Sequence, residues 1–130
     1  MSTYVDDLLG AIYDAVDVYH CKIINMSWGV PSNNAALKEA VDYADAKGAI
    51  MVAAGGNYGS KTLYYPAAYS NVIGVASVGA NKVRSSFSQY NNSVFVTALG
   101  EMNEPRYMTP GGIFDAYKEE ITVWGRADLV

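Results

Sequence analysis

Apolar residues recur every three or four positions along the first twenty residues of the chain. This spacing is typical of side chains that share one face of a helix. The residues of this apolar face are Val5, Leu8, Leu9, Ile12, Val16 and Tyr19. Thr3 and Asp6 have the spacing of a capping box, in which each side chain bonds the free backbone N–H of the other residue. The pattern therefore predicts an amino-terminal helix that packs one face against the core.

Two continuous apolar runs follow, from Cys21 to Met26 and from Ala49 to Ala54, and each is typical of a strand buried on both faces. A second helical pattern lies between them, from Ala35 to Lys47, with Ser32 or Asn33 as its predicted cap. Because a strand, a helix and a strand at this spacing form a βαβ unit, we expect the two strands to be parallel, with a right-handed crossover.

The second half of the chain has a different pattern. Apolar runs from Asn71 to Val78 and from Val94 to Leu99 predict two more strands, but no helical pattern separates them. Residues 101–112 contain two prolines and a Gly-Gly pair, which predict a loop, and residues 113–124 could form a strand or a helix. Together the patterns predict an α/β fold with a partial parallel sheet and flanking helices.

Composition narrows the class of protein. With 130 residues, 51% of them hydrophobic and 17% charged, the chain can bury the core of one globular domain. The net charge is −4 and no basic stripe is present, so nucleic acid is not an expected partner.

No apolar run reaches the length of about 18 residues needed to cross a bilayer, so no membrane partner is expected. The first residues lack a signal-peptide pattern, which favours a cytoplasmic location without establishing it. The single cysteine, Cys21, excludes an internal disulfide and is interpreted as a small buried side chain.

An asparagine, Asn57, stands among three glycines directly after the second predicted strand, in the segment VAAGGNYGS. Ligands of open parallel sheets bind beyond the carboxyl ends of the strands, so this break is a candidate site. The segment from Gly55 to Thr62 nearly matches a phosphate-binding loop, but Ser60 replaces the required glycine and no helix start follows. No cofactor is therefore expected. A structural turn without a function stays open as the alternative.

Four segments between residues 5 and 100 carry a resemblance to one family and follow each other in that family's order. They are IINMSWG, NAALKEAVDYADAKGAIMVAAGGNYGS, YYPAAYSNVIGVASV and RSSFSQYNNSVFVTALG. They resemble the central part of the catalytic domain of subtilases, the subtilisin-like serine proteases. The resemblance implies a truncated subtilase-like core at residues 1–100 and a divergent tail at residues 101–130. It also implies serine endopeptidase activity for the family.

The resemblance implies a role for the residues at the carboxyl ends of the first two predicted strands. Asn57 matches the family's oxyanion-hole asparagine, whose amide N–H stabilises the negative charge that develops on the carbonyl oxygen during peptide hydrolysis. Two groups of residues match segments that bind an extended peptide. The group that pairs with the peptide is Ser27, Trp28 and Gly29, and the group that forms a wall of the primary specificity pocket is Ala54, Gly55 and Gly56. The resemblance also implies a cis bond between Tyr65 and Pro66.

The family's catalytic triad has no counterpart in this sequence. The only histidine, His20, lies outside the family's histidine motif, and no serine follows Ser93, so the nucleophile motif is absent too. Ser93 and Phe95 replace the carboxylates that often bind a cation near this strand, so no metal site is expected. The resemblance therefore implies a fragment of a protease domain that is inactive alone.

Two other interpretations stay open. A non-catalytic module derived from a protease could bind a peptide or protein in the residual cleft or assemble with other chains, whereas a degraded or excised segment would have no role of its own. Without neighbouring strands, the strand from Lys22 to Met26 would be an open apolar edge, and helix residues such as Val5, Leu8 and Ile12 would be uncovered. We therefore expect a homo-oligomer, most simply a two-fold dimer, unless the tail folds back over the edge.

Overall fold

The computed structural model describes residues 4–100 and the backbone of a strand at residues 124–126. The elements in chain order are α1 (Tyr4–Asp17), β1 (Ile23–Met26), α2 (Ala35–Ala46), β2 (Ile50–Ala54), β3 (Ile73–Val78), β4 (Val94–Leu99) and β5 (Trp124–Arg126). The predicted α/β class, with a partial parallel sheet and flanking helices, is confirmed. None of the described helices is long and apolar enough to cross a membrane. Thr3, and with it the predicted capping box, lies outside the described residues, and the division into residues 1–100 and 101–130 stays a prediction.

The strands form one sheet in the order β1-β2-β3-β4-β5. β1 to β4 are parallel, with Met26 beside Ala53 in the first pair and Val78 beside Leu99 in the third, whereas β5 is antiparallel to β4. Since parallel strands point the same way, their carboxyl ends meet at one end of the sheet and their amino ends at the other. The loops that follow β1 and β2 therefore leave the sheet side by side.

Both helices pack with one face of β1 and β2 to form the core. Its most buried large side chains include Ile12, Met26, Leu37, Val41 and Met51, each at most 2% exposed. Burying a side chain of this size contributes about 1.5–3 kcal/mol to folding relative to leaving it in water. The expectation of an uncovered α1 face is wrong for Ile12, because α2 packs against α1 and covers this residue.

The opposite face of β1 and β2 is open. Ile23 and Ile50 lie side by side on the two strands and are 67% and 54% exposed. The prediction that both strands are buried on both faces is therefore wrong, because successive side chains point to opposite faces and the two helices cover only one. Among the described residues, no strand lies beside the outer edge of β1, since the tail strand β5 pairs with β4 at the other edge of the sheet.

Three positions near the ends of elements differ from the sequence predictions. Asn34 caps α2, because its side-chain oxygen accepts a backbone N–H of the first helical turn at 3.1 Å, whereas the sequence predicted Ser32 or Asn33. Tyr19 lies beyond the last residue of α1 and is 73% exposed. Cys21 is exposed instead of buried, because it lies in the turn between α1 and β1, outside both elements.

Buried polar side chains hold the links that join β2 to β3 and β3 to β4. Ser85, Ser88 and Gln89 are each at most 1% exposed. The Ser88 hydroxyl accepts a backbone N–H of β3 at 2.9 Å, which ties the second link to the sheet. The Tyr65–Pro66 bond in the first link is cis, as the resemblance implied.

Candidate active-site segment

The predicted site residues lie in two groups at the carboxyl end of the sheet. Ser27 to Gly29 directly follow β1, and Gly55 to Asn57 directly follow Ala54, the last residue of β2. Because Met26 and Ala53 are partners in the parallel register, the two groups leave neighbouring strands at the same level. The fold therefore brings every predicted site residue to one end of two adjacent strands, and the role of each stays a prediction.

The loop at residues 55–62, which we call the Asn57 loop, begins with a turn that requires glycine. The Gly55 N–H donates to the Val75 carbonyl at 2.8 Å and so extends the pairing of β2 with β3. Gly56 has a φ of 111°, which residues with a side chain rarely adopt. A Cβ at Gly56 would also lie 2.7 Å from Cγ of Gln89. The turn leaves the Asn57 side chain exposed beyond the strand.

The Gln89 side chain fixes the backbone of the Asn57 loop from inside the protein. It is fully buried, and its oxygen accepts from the backbone N–H groups of Tyr58 at 2.9 Å and Ser60 at 3.3 Å. Its nitrogen donates to the Thr62 carbonyl at 2.9 Å and to the Ser60 hydroxyl at 3.1 Å. These bonds pair four groups of the Asn57 loop with one buried side chain, which holds the loop backbone in this conformation.

Different contacts hold the segment that follows β1. Val30 and Tyr65 form an antiparallel pair with reciprocal N–H to carbonyl bonds of 2.8 and 2.9 Å. Trp28 is partly buried against the core, whereas Ser27 is exposed and its hydroxyl accepts from the Asn25 side chain at 2.9 Å. The backbone of this segment is therefore anchored by β1 on one side and by the Val30–Tyr65 pair on the other.

His20 and Ser93 lie at the amino end of the sheet, opposite to Asn57. His20 is exposed between α1 and β1, and Ser93 directly precedes β4, where its hydroxyl bonds the Asn91 side-chain oxygen. Since a strand advances about 3.3 Å per residue, the four residues of β1 alone separate the two ends of the sheet by about 13 Å. Neither side chain is placed to act on a group bound beside Asn57.

Comparisons with known proteins agree with the four motifs. The model of the subtilase family matches residues 1–126. The chain belongs to the subtilase family. Subtilisin DY from Bacillus licheniformis is 50% identical over 82 residues, which are 60% of this chain and 30% of that protein. Thermitase from Thermoactinomyces vulgaris is 46% identical over 88 residues, which are 68% of this chain and 32% of that protein. The subtilase chain thus spans about a third of the length of these relatives.

Solved structures of subtilases have the same fold. The psychrophilic subtilisin-like protease Apa1 from the Antarctic psychrotroph Pseudoalteromonas sp. AS-11 matches with a TM-score of 0.69 at 32% identity, covering 72% of this chain and 22% of that one. The prenylagaramide maturation protease PagA matches with a TM-score of 0.69 at 25% identity, covering 78% and 39% of the two chains. This subtilase chain therefore corresponds to part of a subtilisin-like protease domain.

The chemistry available at the site of this subtilase segment comes from amide and phenol groups. Burial raises the pKa of Tyr64, and a hydrogen bond with Tyr58 raises it further, so the Tyr64 phenol is neutral at physiological pH. Among the described residues, no group of three or more His, Cys, Asp or Glu side chains could hold a metal ion. This end of the sheet presents to a ligand the Asn57 amide, the exposed hydroxyls of Ser27 and Tyr58 and the backbone groups around them.

Sequence reasoning missed Gln89 and Tyr64, two side chains that lie against glycines of the predicted site. Gln89 stands in the segment SSFSQY, and Tyr64 precedes the Tyr65–Pro66 pair. A lone glutamine among serines resembles a loop residue, and only its complete burial reveals its role. The sequence does not distinguish Tyr64 from Tyr65, because it does not show which of the two side chains faces the site.

Proposed function

We propose that this chain provides the oxyanion-hole and peptide-binding part of a serine-endopeptidase cleft and hydrolyses no peptide bond by itself. The observation that carries this proposal is the Asn57 loop, which presents an exposed amide on a backbone held by Gln89 at the end of β2. A donor that is fixed before the reaction stabilises developing negative charge without the cost of reorganisation. For the corresponding asparagine of subtilisin, the loss of this donor costs about 10²–10³ in kcat, and that figure belongs to the relative.

An extended peptide would bind across the carboxyl end of β1 and β2. Its backbone would pair with residues 27–29, which leaves the carbonyl of the bond to be cleaved near the Asn57 amide. Hydrolysis also needs a nucleophile and a base within hydrogen-bond reach of that carbonyl. The positions of His20 and Ser93 at the opposite end of the sheet support the absence of turnover by this chain. The activity of the family would then require a nucleophile and a base from outside these residues.

A fluorophosphonate probe, which reacts with activated serines, tests the inactive part of the proposal. We expect intact-mass spectrometry to show no stoichiometric adduct on the purified chain, while subtilisin DY treated in parallel gains one. A stoichiometric adduct on any serine of this chain would show that it holds a complete catalytic site.

Titration of the ¹⁵N-labelled chain with an extended tetrapeptide amide tests the binding part. We expect chemical-shift changes at Gly29, Gly55, Gly56 and Asn57, because these residues lie where the peptide would pair. His20 at the other end of the sheet serves as an internal control and should not shift. Changes confined to other residues would place peptide binding elsewhere.

A second candidate function, assembly with another copy, is supported by the open edge and open face of β1. Ile23 and Ile50 form an exposed apolar pair, and the described residues place no strand beside the outer edge of β1. Exposed apolar strand edges favour pairing with another chain, and a two-fold dimer is the simplest closed form of such pairing. Light scattering behind a sizing column distinguishes a dimer from a monomer.

A further inference from the structure

The two glycines of the predicted cleft, Gly29 after β1 and Gly56 after β2, both lie against the ring of Tyr64. A Cβ added to Gly29 would lie 2.5 Å from Cδ1 and 2.6 Å from Cε1 of this ring. A Cβ added to Gly56 would lie 3.1 Å from Cγ of the same ring. These distances show that the ring occupies the space which the two segments share. Gly29 must lack a side chain for the ring to fit, and a side chain at Gly56 would press on the ring.

We propose that the Tyr64 ring fills the slot between the two peptide-binding segments and thereby restricts the bound peptide to a small side chain at that position. The inference rests on the proposed function, since it concerns a side chain of the bound peptide. Along an extended peptide, alternate side chains point toward the protein, so one of them faces the slot. Glycine or alanine leaves the ring in place, whereas a phenylalanine side chain needs the volume that the ring occupies.

Backbone contacts on both sides hold Tyr64 in this position. The next residue, Tyr65, pairs with Val30 through two backbone bonds, and the Tyr64 carbonyl accepts from the Ala68 N–H at 2.8 Å. The ring also packs against the ring of Tyr58, with 5.7 Å between the centroids and 59° between the planes. The ring therefore belongs to a supported structure and would move only if several contacts were broken.

A small aromatic ligand tests the slot without any peptide. In the Tyr64→Gly variant of the full chain, p-cresol replaces the missing side chain, so its addition should shift the amide signals of Gly29 and Gly56. The same concentration should leave these signals of the unmodified chain unchanged, because the ring already fills the slot. Tyr19→Ala, which removes an exposed ring before the amino end of β1, is the matched control and should not bind p-cresol at Gly29. Equal shifts of the Gly29 and Gly56 signals in the unmodified chain would contradict the proposal that the Tyr64 ring fills the slot.

A measurement on the unmodified chain keeps the slot testable if Tyr64→Gly fails to fold. A nuclear Overhauser effect between the Hδ protons of Tyr64 and the Hα protons of Gly29 is expected from the close contact of the two residues. Its absence, with both signals assigned, would contradict the position of the ring and overturn the inference.

Two peptide amides, Ala-Ala-Pro-Ala and Ala-Ala-Pro-Phe, test the selectivity. The unmodified chain should bind the alanine peptide at least about tenfold more tightly, and Tyr64→Gly should reverse this preference, because an apolar pocket discriminates side chains by size. A preference of the unmodified chain for phenylalanine, or a ratio that Tyr64→Gly leaves unchanged, would overturn the inference. A third outcome separates the two proposals: neither peptide binds either protein, while p-cresol still shifts the Gly29 and Gly56 signals of Tyr64→Gly. This outcome would support the position of the Tyr64 ring. It would contradict the proposed peptide binding and the selectivity derived from it.

Discussion

Residues 4–54 and residues 55–100 contribute to the same sheet, but different forces hold them in place. The first region consists of two helices and two strands, and it supplies most of the apolar cluster around Leu37 and Met51, to which Ala67, Tyr69 and Val72 of the second region also belong. The second region has no helix among its described residues, and its links depend on buried polar side chains such as Gln89 and Ser88. Apolar packing is non-directional and strong in sum, whereas buried hydrogen bonds contribute little net energy but impose a geometry.

The difference matches the parts that the two regions play at the site. The first region supplies the scaffold, since the ends of β1 and β2 fix where the two segments leave the sheet. The second region supplies side chains that contact the two segments, since Gln89 holds the Asn57 loop and Tyr64 fills the slot beside Gly29. Substitutions in the scaffold should therefore change the stability of the whole chain, and substitutions in the polar links should change the site first.

The largest effect is expected from Leu37→Ala in the apolar region. Leu37 is 1% exposed, and truncation of such a side chain costs about 2–5 kcal/mol of unfolding free energy, because it removes buried methyl groups and leaves a cavity. Urea unfolding followed by circular dichroism measures the change. Leu63→Ala is the matched control in the other region, where Leu63 is 43% exposed, and it should cost less than about 0.5 kcal/mol. Equal costs at the two positions would contradict the burial of Leu37 in the apolar cluster.

A smaller and more local effect is expected from Gln89→Leu. The substitution leaves the backbone N–H groups of Tyr58 and Ser60 without their acceptor, at a cost of about 1–3 kcal/mol for each group that stays unsatisfied. The Thr62 carbonyl keeps the Asn91 side-chain nitrogen as a donor. Hydrogen exchange should therefore speed up at the Tyr58 amide by about tenfold or more, since 1.4 kcal/mol corresponds to a factor of ten. The exposed Asn92→Leu is the control and should leave the loop unchanged. Uniform acceleration throughout α2 would instead mean that Gln89 supports the whole fold.

The next largest loss of stability is expected from removal of the side chain that caps α2. Asn34→Ala removes the side-chain acceptor of the Leu37 N–H, and a lost cap of this kind costs about 1 kcal/mol. Ser32→Ala tests one of the two caps that the sequence predicted and should be close to neutral, because Ser32 is exposed outside the helix. Thermal unfolding of the two variants side by side decides which residue caps α2, and a larger loss for Ser32→Ala would reverse the assignment.

The smallest effect on stability is expected from Ile23→Lys on the open face. Ile23 is 67% exposed, so the substitution should change the unfolding free energy of the monomer by no more than about 0.5 kcal/mol. The proposed dimer should nevertheless dissociate, because the substitution places a charge on an apolar strand edge. Val18→Lys, at a residue that is 60% exposed beyond the end of α1, is the control and should leave the mass unchanged. A monomer for the unmodified chain at micromolar concentration would end the assembly proposal.

The sequence by itself determined the elements of this protein and the residues at the strand ends. Periodic apolar residues predicted α1 and α2, continuous apolar runs predicted β1 to β4, and the Gly-Gly-Asn break located Asn57 at the end of β2. These features are local, because propensity, hydrophobic period and turn chemistry act over a few neighbouring residues. The four motifs extended the prediction to the fold, because they follow each other in the order of a known family.

The tertiary structure decided which side chains support the site and which faces are covered. Gln89 and Tyr58 are 31 residues apart, and Tyr64 meets Gly29 across a separation of 35 residues, so no local pattern records either contact. The same holds for Ile23, whose apolar character predicted burial, although α1 and α2 cover only the other face of its strand. The burial of a side chain depends on which helices and strands pack against each other. This packing is decided by contacts between residues that are distant in the sequence, and a local pattern of apolar and polar residues does not record them.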